Sequence, residues 1–320
     1  MIFALVLTLA PGIVHAQNSS PAAPPPPADI PLSRLKADAT VAVALAPGSV
    51  ESDDAVWVPN RAAGTVVRVD AKDNNVGAPI AVGTQPCASL VVAFASVWVP
   101  RCGGGSIARV DVKTMQVDAT LKIAVADGDG RIATGVGSVW AITDRKGVLS
   151  RIDPDTNKSV AEIYVAGGAT AVAFGEDALW ITSDNGKLTR INPHNNEIVE
   201  VIAVGPKPGR LAVGAGGVWT LNRGNGTVTR VDPATNTVVA TIPVGADVAG
   251  GEVAAGEGSV WISAPGVPLI RIDPRTNRAV QRFTGDGGGA VLVAHGSLWI
   301  AAGPQITWRL DPVLVAAMRP

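Results

Sequence analysis

Seven of the eight tryptophans recur at near-constant intervals. Trp57, Trp98, Trp140, Trp180, Trp219, Trp261 and Trp299 are separated by 41, 42, 40, 39, 42 and 38 residues. The surrounding phrases recur with them, most fully in GRLAVGAG, GVWTLNRGNG, TVTRVDPATN and TVVATIPVG between residues 209 and 245. Within each phrase β-branched and apolar residues alternate with small or polar ones over five to eight positions, bounded by Gly, Pro, Asn and Asp. That is the pattern of short antiparallel strands joined by tight turns. No segment has helical periodicity. Four strands per period of about forty residues match one blade of a propeller, in which each sheet packs both faces against its neighbours around an axis.

The expected fold is therefore all-β, a seven-bladed β-propeller of four-stranded antiparallel blades. The 320 residues would ordinarily suggest two domains, but repeats grow around one shared core. The ends predict how the ring closes. The seventh unit has GAVLVAHG, SLWIAAGP and QITWRLDP but no fourth strand, whereas ATVAVALAPG at residues 39–48 aligns with TVVATIPVG. The N-terminal strand is thus expected to complete the last blade, closing the ring and protecting its edges. Upstream, the apolar MIFALVLTLAPGIVHA reads as a signal peptide over 1–16, too short to span a bilayer. Residues 17–36 read as a proline-rich linker without a packing pattern, and 37–320 as the propeller.

Because the tryptophans hold one position in every unit, they read as packing between blades rather than as stacking surfaces for a ligand. The same holds for the repeated Arg-X-Asp or Arg-X-Asn phrase, from Arg68/Asp70 to Arg309/Asp311, whose acidic or amide side chain caps the next turn. A net charge of -1 gives no positive field to collect nucleic acid or anionic membrane.

The phrases GGVWTLNRGNGTVTRVDPATNTVVATIPVG (216–245) and GSVWAITDRKGVLSRIDPDTNKSVAEIYVAGG (137–168) resemble the repeats of the YVTN-type and NHL-like propellers, over nearly all of 39–312. That group includes the streptogramin (virginiamycin B) lyases, seven-bladed enzymes that open a cyclic depsipeptide by elimination, using histidine and glutamate near a magnesium ion. The resemblance implies a metal-dependent lyase or lactone hydrolase with Glu252 as base; no cofactor is predicted from the residues for the favoured reading, and Mg or Ca belongs to the alternative. A histidine base does not carry over residue by residue. His15 falls in the signal peptide, and His194 and His295 fall in turns on the rim opposite the usual ligand face.

Sites break the symmetry that architecture keeps. Nine residues before each tryptophan, at the start of the channel-lining strand, blades two to seven carry Ser89, Arg131, Ala171, Arg210, Glu252 and Ala290. Arg131 and Arg210 are expected to grip a carboxylate or phosphate with Glu252 orienting them, and Lys207 and Asp247 stand on adjoining loops. Asp127, Asp129, Asp247 and Glu252 are the alternative, a set of oxygen ligands for a hard cation, though their spacing fits no loop motif. Cys87 and Cys102 are nearly equidistant from the turn near Ala95, so a hairpin brings them together at the mouth as a disulfide, in keeping with export.

The reading favoured by the residues is a periplasmic or secreted ligand-binding or protein-interaction module, expected as a monomer. Its partner is expected to be a small molecule or an envelope protein at the channel mouth, with no nucleic acid and no membrane span. The lyase or lactonase is the alternative.

Overall fold

The computed structural model describes residues 27–126 and 132–319. The signal peptide expected over 1–16, together with Asp127, Asp129 and Arg131, lies outside them. The described strands form seven sheets, six of four strands and one of five. Blade five runs outward from the axis through Pro208–Gly214, Gly217–Asn222, Thr227–Asp232 and Thr237–Pro243, each antiparallel to the last. The ring closes as expected. Ala39–Val41 pairs antiparallel with Ile306–Leu310 and supplies the fourth strand of blade seven.

The linker expected over 17–36 is structured where it meets the ring. Asp29–Pro31 adds a fifth strand to blade six, parallel to the outer strand Arg278–Thr284. Ile30 is fully buried in a cluster with Phe283, Leu32 and Leu35. Proline-rich chain is already extended, and an open edge strand converts extension into pairing without needing every N–H. A six-residue helix, Pro312–Ala317, also departs from the all-strand expectation. Asp311 caps it by accepting from the amides of Val313 and Leu314, and proline at its first position costs no hydrogen bond.

The repeated tryptophans are 0–1% exposed, packing residues as their symmetry implied. In six blades the indole N–H donates to the carbonyl five residues upstream, as from Trp219 to Gly214 at 2.9 Å. Close approach of neighbouring blades explains glycine there in blade six, since a Cβ on Gly256 would stand 2.7 Å from Val293 Cγ1.

The Arg-X-Asp phrase has two structural tasks. Asp70, Asp111 and Asp153 each accept from amides of the following turn, which hold their carboxyls below the ordinary 3.8. The arginine clasps the next blade. Arg109, Arg151, Arg190, Arg230 and Arg309 each lie over their own blade's tryptophan, 5.1–5.4 Å from the ring centroid. Each also donates to a main-chain carbonyl and an asparagine Oδ1 in the next blade's outer turn, as Arg190 does to Pro233 and Asn236 at 2.8 Å.

Candidate functional site

Glu252 opens the inner strand of blade six, opposite Ser263 at the far end of the second strand, and so stands on the face of the loops joining second to third strands. Arg210 holds the matching place in blade five. Both are nearly buried, at 5% for Arg210 and 9% for Glu252. Their side chains pair, Arg210 Nε to Glu252 Oε1 at 3.6 Å. Each also reaches across the channel. Arg210 Nη2 donates to the Ala88 carbonyl at 2.8 Å, and Glu252 Oε2 accepts from the Gly48 amide at 3.0 Å.

These four residues form one cluster joining blades five and six to the approaches of blades one and two. Gly48 is required in it: its φ is +76°, and a Cβ would stand 2.2 Å from the Ala88 oxygen. The Cys87–Cys102 disulfide expected from the sequence is present and adjoins Ala88, with Cα atoms 5.2 Å apart. Cys87 N also donates to the Pro100 carbonyl at 2.8 Å, so this loop is held by two independent links.

Beside the cluster the channel mouth forms an open pocket of about 280 Å³, lined by Ser49, Ser89, Arg210 and Glu252 and by small apolar residues of the inner strands such as Ala133 and Ala171. A few fixed polar and charged groups among small apolar side chains are the composition of a small-ligand site. Lys207 and Asp247 stay on the exposed rim, and Asp247 Oδ1 caps its own turn through the Ala249 amide at 2.9 Å.

Asp127 and Asp129, two of the four candidate metal ligands, lie outside the described residues. Among the described residues there is no group of three or more His, Cys, Asp or Glu side chains able to hold an ion. Of the candidate ligands, Asp247 is committed to its turn and Glu252 to Arg210 and Gly48. A carboxylate already neutralised by a guanidinium is a poor ligand for a second cation, so the described residues do not fit magnesium or calcium.

Both described histidines lie on the opposite rim, as the turns implied. His194 Nε2 stands 3.1 Å from Asp177 Oδ1, and His295 Nε2 stands 3.3 Å from the Ala55 carbonyl. Arg210 and Glu252 carry a residue signature as breaks in the repeat, whereas their main-chain partners Ala88 and Gly48 do not, because backbone acceptors and donors have none.

No family model matches the chain, nor does any curated protein. Solved structures match its fold. A streptogramin B lyase structure superposes with a TM-score of 0.69 at 17% identity, covering 83% of this chain and 93% of that one. Virginiamycin B lyase from Staphylococcus aureus gives a TM-score of 0.71 at 15% identity, covering 85% and 97%. A catalytically inactive histidine-to-alanine form of that lyase with quinupristin gives 0.70 at 16%, over 84% and 95%. The Pan2 WD40 domain of Neurospora crassa gives 0.67 at 10%, over 84% and 90%. At such identities the likeness is one of fold, and it extends to both lyases and WD40 domains.

Proposed function

We propose that this propeller is an exported ligand-binding or protein-interaction module of the cell envelope, with its ligand received at the channel mouth by Arg210 and Glu252. The buried Arg210–Glu252 pair beside the 280 Å³ pocket carries the reading. A charged pair almost out of water is costly to maintain for packing alone, and apolar residues of similar volume would stabilise the ring as well. Export is supported by the disulfide, a bond that persists in oxidising compartments. Among the described residues no helix is long and apolar enough to cross a membrane.

The lyase likeness in fold keeps one rival reading in view, a metal-dependent lyase or lactonase with Glu252 as base. Against it stand the engagement of Glu252 by Arg210 and the location of His194 and His295 on the opposite rim. The test is a thermal-shift and calorimetric screen of small carboxylates and phosphates against the native protein and R210M and E252Q. Quinupristin turnover is measured alongside, with and without magnesium. Binding that both variants abolish, without turnover, is the expected result. Turnover that E252Q abolishes would establish the rival, and binding unaffected by either variant would move the ligand elsewhere.

A further inference from the structure

The arginine clasp that links successive blades is missing at two of the seven seams. Between blades six and seven the gap is filled: Arg271 Nη1 donates to Gln281 Oε1 at 3.4 Å, and Gln281 Nε2 donates to the Val315 and Met318 carbonyls at 3.0 and 2.7 Å, docking the C-terminal helix. Between blades one and two nothing among the described residues replaces it. At the turn position where the other acceptor turns carry Asn74, Asn157, Asn196, Asn236 or Asn277, blade two has Met115. The backbone keeps the left-handed conformation of the asparagines, with φ at 58°, but the side chain has no oxygen. Arg68 turns back onto its own blade, to Asp54 at 2.7 Å and Asp70 at 3.3 Å.

The seam stays open as a result. Two cavities of about 470 and 440 Å³ lie along it and share Arg68 and Met115 as common walls. Blade one widens the opening, because its outer strand is reduced to Ile80–Ala81. Apolar side chains line it in partial exposure, namely Phe94 at 40%, Val117 at 38% and Met115 at 36%.

We propose that this seam is a docking groove for a peptide turn of a partner protein, one that offers Arg68 a main-chain carbonyl and a carboxamide oxygen and lays an apolar residue against Met115 and Val117. The five clasped seams define the chemistry, since each fills the equivalent place with those two oxygens on a turn. A guanidinium has five donors, and here two serve the carboxylates of Asp54 and Asp70. Those carboxylates already balance its charge, so uncharged acceptors suit the groove and a further carboxylate is repelled. The groove is separate from the channel mouth and does not depend on the function proposed there.

The probe is acetyl-VDPATNTV-amide, the sequence of residues 231–238, which forms the acceptor turn for Arg190 within this molecule. Titrated into the full isotope-labelled chain, it is expected to shift the amide resonances of Arg68, Phe94 and Met115. Replacing its asparagine by alanine or aspartate should weaken binding at least tenfold. Met115→Asn, which restores the missing acceptor in a backbone conformation asparagine favours, should close the groove and abolish the shifts while raising the thermal midpoint. Val117→Glu, on an exposed strand position, should weaken binding in a chain whose core is untouched. No localised shift at millimolar peptide, equal binding by the aspartate peptide, or undiminished binding to both variants would overturn the proposal.

Discussion

Arg309 donates from Nη1 to the carbonyl of Ala71 at 2.6 Å, a hydrogen bond across 238 residues that fastens the seventh blade to the first. The same guanidinium reaches Asn74 Oδ1 at 3.2 Å and lies 5.4 Å from the Trp299 centroid. Arg309→Ala should cost about 2–4 kcal/mol in urea unfolding, the loss of charge-assisted hydrogen bonds and a cation–π contact. Arg68→Ala should cost under about 1 kcal/mol, because its partners are carboxylates near solvent. Equal losses would show that the clasp contributes nothing beyond the arginine stem.

The pair at the channel mouth should behave as a unit. Arg210→Ala or Glu252→Ala alone is expected to cost about 3 kcal/mol by removing one partner of a nearly buried ion pair. The double variant should cost less than the sum, which a double-mutant cycle measures directly. Strict additivity would mean that the two side chains act independently.

Replacing Cys87 and Cys102 by serine opens a link between residues 15 apart and should cost about 3 kcal/mol. The disulfide adjoins Ala88, the acceptor for Arg210, so the same variant should also speed hydrogen exchange at the Gly48 amide. Unchanged exchange there would separate the disulfide from the mouth.

Stability should fall in acid. Asp70, Asp111 and Asp153 are held below the ordinary 3.8 by turn amides, and Asp273 chiefly by its hydrogen bond with Arg275. A carboxyl depressed in the folded state stabilises fully above its unfolded value and loses that contribution as pH drops through the folded one. The thermal midpoint should therefore be insensitive to these groups from pH 7 to about 4 and decline below it. Asp111→Asn with Asp153→Asn should reduce the decline, since Asn192 already caps the corresponding turn of blade four through the His194 amide at 2.9 Å.

The N-terminal fifth strand should be worth measuring by a single side chain. Ile30→Ala removes a fully buried residue from the cluster with Phe283 and is expected to cost about 2–4 kcal/mol in chemical denaturation. A loss below about 0.5 kcal/mol would mean that Asp29–Pro31 lies on blade six without supporting it.

The regular features of this chain are legible because each is written seven times. A tryptophan every forty residues, strands bounded by turn residues and a unit lacking its fourth strand point to one closed ring, so blade number and closure by residues 39–41 were legible in the residues, as was the Cys87–Cys102 pairing from the hairpin spacing. The candidate mouth residues Arg210 and Glu252 were legible as breaks in the repeat. Their attachment to Ala88 and Gly48 was not, because hydrogen bonds to main chain 122 and 204 residues away depend on where the ring brings the loops. Tertiary structure likewise decided the fate of the irregular ends. Ile30 becomes a core residue only because blade six presents an open edge, and Met115 leaves an open seam only because Arg68 of the neighbouring blade meets a side chain without an oxygen. Local alternation and turn chemistry determine a blade, whereas an asymmetric site forms where blades meet, between residues that no short-range pattern connects.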